Sequence, residues 1–185
     1  LFQRARPATR PPPQGAVSLS GETVSPEAPT GPVFQNGVAD FRELLGRLQP
    51  SGNGVPVTFS LGAGPAHDGF RLEVSPEAVC IHAAEERGLL NAMHYVAREL
   101  VDRGGPWLPP GATERAPSLA TRFTESSFIP ARQTAEAPGA FSDRYLSLMT
   151  HFGANALKIS LSIYNFWNSR ALPELNADGV EDRLK

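Results

Sequence analysis

The sequence predicts an α+β fold: a small two-layer α/β sandwich, one sheet with helices on one face, followed by the start of a β/α structure. Three observations carry this. Short strand-like runs crowd together between Val55 and His82, flanked by two amphipathic helical stretches. A proline-rich loop, Pro106 to Pro117, then breaks the rhythm. Beyond it, strand, helix and strand signals alternate. The boundaries read as a tail over residues 1–15, the sandwich over 16–105, a linker over 106–119 and the β/α part over 120–185.

Each element has its own signal. The run RARPATRPPPQ has almost nothing to bury and reads as an extended tail. Ala16 to Ser20 alternates apolar and polar, as a short strand does. Asp40 is placed to cap a helix whose face is Phe41, Leu44, Leu45 and Leu48, with Glu43 closing a capping box and Pro50 stopping it. VPVTFSL (Val55 to Leu61), FRLEV (Phe70 to Val74) and AVCIH (Ala78 to His82) are strands, the last two a hairpin. From Glu85 the period becomes helical, with Leu89, Leu90, Met93, Val96, Ala97, Leu100 and Val101 on one stripe and Gly104 as the stop. After the linker, Ala120 to Phe123 is a short strand. Ser142 caps a helix carrying Tyr145, Leu148, Met149 and Phe152, ended by Gly153. Asn155 to Tyr164 alternates Leu157, Ile159, Leu161 and Ile163 with Lys158, Ser160 and Ser162, the pattern of a half-buried strand. The closing DGVEDRLK reads as a helix that stops after about two turns, shorter than a helix needs to stand alone, so the polypeptide is expected to continue beyond Lys185.

Composition narrows the function classes. With 17 Lys and Arg against 19 Asp and Glu, the net charge of -2 offers no basic field for nucleic acid or an anionic membrane. No apolar run is long enough to span a bilayer. Cys80 is the single cysteine, which excludes an internal disulfide and a multi-cysteine zinc site, and it lies in an alternating strand as a small buried group. His67, His82, His94 and His151 are scattered without metal-ligand spacing, and SGNG and LGAG lack the lysine and helix start of a phosphate loop. Neither metal nor cofactor is expected.

The stretch DGFRLEVSPEAVCIHAAEERGLLNAMHYVARELVDRG, a hairpin, a turn with Glu86-Arg87-Gly88 and an amphipathic helix, resembles the small α+β domain that precedes the catalytic barrel in β-N-acetylhexosaminidases of glycoside hydrolase family 20 and in α-glucuronidases. Similarly, ATRFTESSF resembles the first strand of that family's (β/α)8 barrel, and FSDRYLSLMTHFGANALKISLSIYNFW its first helix and second strand. Gly88, Arg122, Gly153 and Asn155 are the anchors, Gly88 being read as the residue that permits a tight bend into the helix. The resemblance implies the opening of a barrel, a carbohydrate substrate, the rest of the polypeptide as partner and a secreted or periplasmic setting. Phe123 stands where the family has a glycine, and Lys158, Ser160 and Ser162 stand where it has histidines and an aspartate. These departures favour a relative acting on a different sugar.

Glycosidases work with two carboxyl groups about the glycosidic oxygen, or with one acid and a substrate acetamido group. The family's Asp-Glu pair comes from a fourth strand with no counterpart in these residues, and adjacent Glu181 and Asp182 read as a solvated helix face, so no catalytic residue is assigned. Substrate contacts are expected from Arg122, an arginine at a strand's C-terminal end able to aim planar donors at vicinal hydroxyls, and from Glu125 on the following loop. Tyr164, Asn165 and Trp167 are expected as a sugar platform after the second strand. The plainer readings are an internal salt bridge for Arg122, a surface acid for Glu125, core packing for Trp167, and interior layer filling for Lys158, Ser160 and Ser162. The rival function is a non-catalytic α+β module binding carbohydrate or protein.

Overall fold

A computed structural model of the chain describes residues 11–24, 31–48, 54–62, 64–126 and 148–159, with Val33, 124–126 and 158–159 described by backbone alone. The chain divides into two compact units, 1–120 and 121–185.

The first unit is a mixed α+β structure. Its elements are β1 (Val17–Val24), α1 (Pro32–Leu48), β2 (Val55–Leu61), β3 (Phe70–Val74), β4 (Val79–Ala83), α2 (Glu86–Arg103), β5 (Trp107–Leu108) and β6 (Gly111–Arg115). They form one six-stranded sheet in the order β5-β1-β2-β4-β3-β6. Strands β1, β2 and β4 run parallel, while β5, β3 and β6 are antiparallel to their neighbours. Only two residues separate β5 and β6, although these are the two ends of the sheet order. A flat sheet would hold them about 24 Å apart at the usual strand spacing, farther than three peptide units reach, so the sheet curls.

Alternation along the strands decides which face is buried. Val57 and Phe59, Leu72 and Val74, and Val79 and Ile81 point into the core, whereas Thr58, Ser60 and Arg71 are exposed. Helix α1 packs on β1, α2 packs on β3 and β4, and the helices pack on each other. The apolar set Phe34, Val38, Phe41, Leu44, Leu45 and Leu48 of α1 is almost wholly buried, and Phe34 meets Phe59 edge to face at 5.1 Å.

Several expectations shift. The first strand continues to Val24, past an irregularity between Leu19 and Val24 where Thr23 Oγ1 donates to the Val55 carbonyl. Helix α1 begins at Pro32, not after Asp40, so no capping box forms at Asp40. Asn36 and Gly37 look like a break in sequence, yet Phe34 and Val38 extend the same buried stripe one turn back, and that burial outweighs the roughly 1 kcal/mol cost of glycine in a helix. Gly37 also lets the helices approach, since a Cβ there would lie 2.7 Å from Leu90 Cδ1 and Met93 Cε.

Strands β2 and β3 match the expected bounds, β4 lies one residue later, and β3 and β4 form the expected hairpin. Its turn is held by the Ser75 hydroxyl, which accepts hydrogen bonds from the Glu77 and Ala78 amides. The linker is not a loop throughout. Trp107–Leu108 pairs with Val17 and Ser18, and Gly111–Arg115 pairs with β3. Pro109 and Pro110 fall between these two strands, so neither takes a ladder position. Helix α2 ends as expected, with Gly104 (φ 74°) and Gly105 donating to the Val101 and Leu100 carbonyls in a Schellman motif.

In the second unit, β7 (Phe123–Ser126) pairs in parallel with β8 (Ala156–Ile159). The expected strand at Ala120 therefore starts three residues later. Residues 148–151 are helical and end in a second Schellman motif, in which Gly153 and Ala154 donate to the Thr150 and Met149 carbonyls. The expected helix start at Ser142, the strand beyond Ile159 and the closing helix lie outside the described residues. Among the described residues, no helix is long and apolar enough to cross a membrane.

Candidate functional site

The β7 and β8 strands bring the family-like anchors together at their N-terminal ends. Arg122 stands immediately before β7 and Asn155 immediately before β8. The Arg122 amide donates to Asn155 Oδ1 at 2.8 Å, and the Asn155 amide donates back to the Arg122 carbonyl at 2.8 Å. Arg122 Nε donates to the Gly153 carbonyl at 2.7 Å. Three of the four anchors thus form one network tying the helix end to both strand starts. From there the pairing runs Phe123 with Ala156, Thr124 with Leu157, Glu125 with Lys158 and Ser126 with Ile159.

Arg122 stands at the opposite end of its strand from the one expected. It was expected at the C-terminal end of a strand, where a barrel site opens, but the strand begins after it and continues through Ser126. Alternation in TRFTES sets which residues share a face without fixing where pairing begins, and the Asn155 bonds fix that start. Glu125 likewise lies within β7, in register with Lys158, and not in the loop that follows. Tyr164, Asn165, Trp167, Ser160 and Ser162 lie outside the described residues, as do Glu181 and Asp182. Beside this network, His151 is partly buried, and burial holds its imidazole down to about 4, neutral at ordinary pH.

Gly88 has a different task from the one expected. It lies inside the first turn of α2, and a Cβ there would fall 2.4 Å from the Gly69 carbonyl oxygen and 2.7 Å from Ala83 Cβ. The glycine therefore allows close packing of the helix on the turn before β3. The Asn91 side-chain amide donates to the Asp68 carbonyl beside it at 2.9 Å, and His67 and Asp68 both take positive φ (57° and 62°).

A second group of polar side chains escaped the reading of the sequence. On the solvent face of the first unit, Ser60 and His82 are hydrogen-bonded through Oγ and Nδ1, and Arg71 pairs with Glu73 at 2.7 Å. His82, Arg71 and Glu73, with Glu114, Gly64 and Pro65, border a shallow hollow of about 520 Å³, and Ser60 stands behind His82. The signal was the alternation itself, which puts these residues on one face, but only the strand order makes them neighbours. No cluster of three or more metal-ligating side chains occurs among the described residues.

Neither a family model nor a curated protein matches the chain. Solved structures do. A mutant Streptomyces plicatus β-hexosaminidase in complex with its product GlcNAc aligns with a TM-score of 0.57 at 21% identity, over 88% of this chain and 35% of its own. The family 20 β-N-acetylhexosaminidase of Streptomyces coelicolor aligns with a TM-score of 0.56 at 22% identity, over 95% of this chain and 38% of its own. A family 138 glycoside hydrolase targeting pectin rhamnogalacturonan II aligns with a TM-score of 0.58 at 13% identity, over 85% of this chain and 26% of its own. The chain spans roughly a quarter to two fifths of the length of these structures. At such identities the likeness speaks for fold: the chain has a glycoside hydrolase-like fold, shared with family 20 β-N-acetylhexosaminidases and a family 138 enzyme.

Proposed function

We propose that the chain is part of a glycosidase that hydrolyses glycosidic bonds of an oligo- or polysaccharide. The observation that carries this reading is the fold likeness across both units to sugar-cleaving enzymes from two different families. In this reading β7 and β8 are the first two strands of a (β/α)8 barrel, and the sugar lies past their C-terminal ends. Glu125, which can accept protons from sugar hydroxyls, and Tyr164, Asn165 and Trp167, which follow β8 in sequence, are the proposed substrate contacts. Arg122 is assigned a positioning role instead, on its bonds to Asn155 and Gly153. The catalytic carboxyls belong to a part of the polypeptide with no counterpart among these residues.

The test is hydrolysis by the full-length protein of a panel of 4-nitrophenyl glycosides and dye-linked polysaccharides. Release from at least one substrate, with KM raised by Trp167→Ala or Asn165→Ala, is the expected result. A protein that releases nothing from any of them is a non-catalytic module, and the proposal fails.

A further inference from the structure

Four polar side chains on four strands line up across the solvent face of the first unit's sheet. Ser60, His82, Arg71 and Glu114 are successive Cα partners across β2, β4, β3 and β6. Glu73, two residues along β3 on the same face, is ion-paired with Arg71. The Gly64-Pro65 segment walls one side of the hollow, and its volume of about 520 Å³ falls within the range of small-molecule sites. Folding does not explain this arrangement. The Arg71 and Glu73 side chains are 54% and 44% exposed, and exposed pairs of this kind contribute little to stability.

We propose that this hollow on the first unit binds a neutral saccharide unit. The charge pattern selects the ligand. An anion placed here meets Glu73 and Glu114, and a cation meets Arg71. A neutral polyhydroxyl compound can use both, donating hydroxyl protons to the carboxylates and accepting hydrogen bonds from the guanidinium. Arg71 and the two carboxylates are planar groups suited to paired hydroxyls, and the Ser60 hydroxyl and His82 ring extend the row by one further polar edge. All of these residues except the Gly64-Pro65 wall stand on strands, which hold their spacing better than a loop does. In a protein that cleaves polysaccharide, such a site would hold the polymer near the enzyme. The proposal goes beyond the glycosidase reading and does not need it to be true.

Affinity electrophoresis of the full-length protein through gels containing hydroxyethylcellulose, glycogen, xyloglucan or glycol chitin tests it, with titration of cellobiose, maltose and N,N′-diacetylchitobiose as the solution counterpart. The wild-type protein is expected to be retarded by at least one polysaccharide. Arg71→Ala and Glu114→Ala should each weaken that affinity about tenfold, and Glu114→Gln should weaken it less. Hydrolysis of any small aryl glycoside should stay at the wild-type rate, so retention and turnover read the two proposals separately. His82→Ala, at a further residue that lines the hollow, asks the same question from a neighbouring strand. The proposal is overturned if the wild type migrates freely in every gel, or if the folded variants are retarded as strongly as the wild type.

Discussion

Glu86 Oε1 accepts a hydrogen bond from the Gly31 amide at 3.0 Å, so a residue in the first turn of α2 caps the N-terminus of α1. The two residues are 55 apart in sequence. Their contact puts one carboxylate near the positive ends of both helix dipoles, where it satisfies an amide that has no partner within its own helix. Glu86→Ala is therefore expected to destabilise the first unit by about 0.5–2 kcal/mol, and Glu86→Gln, which keeps an acceptor and loses the charge, by less. Urea unfolding followed by circular dichroism checks the order of the two variants.

Glycine substitutions separate packing from propensity. A Cβ at Gly88 would lie 2.4 Å from a backbone oxygen, which cannot move aside as a side chain could. Gly46, on the exposed side of the last turn of α1, would bring a Cβ to nothing within 4 Å. Gly88→Ala should lower the melting temperature, whereas Gly46→Ala should stabilise by about 0.5–1 kcal/mol. Equal effects from the two substitutions would contradict the packing role of Gly88.

Much of the first unit was legible in the sequence because burial there follows simple periods. The alternation in VPVTFSL and FRLEV and the stripe from Leu89 to Val101 each name their own buried face. The start of α1 was hidden because Gly37 reads as a breaker when its helix-helix contact is unseen. Strands β5 and β6 were hidden because the prolines between them resemble a loop. The row from Ser60 to Glu114 was unreadable for another reason: it is assembled from four segments whose order across the sheet does not follow their order in the chain. At the candidate site, the sequence identified Arg122, Gly153 and Asn155 as a set. It misplaced Arg122 by the length of a strand, since a four-residue pattern does not show where pairing begins.

Asp40 carries a charge that the fold disfavours. Half-buried within α1 and three residues from Glu43, it has its carboxyl pKa raised, first by desolvation and then by that like charge. With the folded pKa above the unfolded value of about 3.9, the folded state binds the proton more tightly, and stability falls as pH rises through the folded pKa. Asp40→Asn should raise the urea midpoint at pH 7 and leave it nearly unchanged at pH 3. Unchanged midpoints at both values would show that the carboxylate is well accommodated.

His151 has the opposite dependence. Its folded pKa of about 4 lies below the usual value of about 6.5, so between these two values the unfolded chain takes up a proton that the folded chain refuses. Its contribution is complete above pH 6.5 and is lost as pH falls toward 4. Replacement by glutamine should flatten the acid side of the second unit's stability profile, measured by limited proteolysis across pH 4–7.

Arg122 can be tested as a structural tie against a role as a sugar ligand. Asn155→Ala removes the acceptor for the Arg122 amide, and Arg122→Ala removes the bond to Gly153, so each should destabilise the second unit by about 1–3 kcal/mol. Both variants should become more sensitive to proteolysis in residues 121–159. If Arg122→Ala instead keeps full stability and weakens sugar binding tenfold, the arginine is a ligand and the positioning role is wrong.

A crystal structure of the full-length protein with a bound monosaccharide or glycosidase inhibitor decides whether β7 and β8 open a sugar-binding barrel. The expected result is that they continue into a closed parallel barrel, with the sugar past their C-terminal ends beside Glu125 and the segment from Tyr164 to Trp167. A sheet that stops at β7 and β8, or a sugar bound at the N-terminal ends beside Asn155 and Gly153, would contradict it.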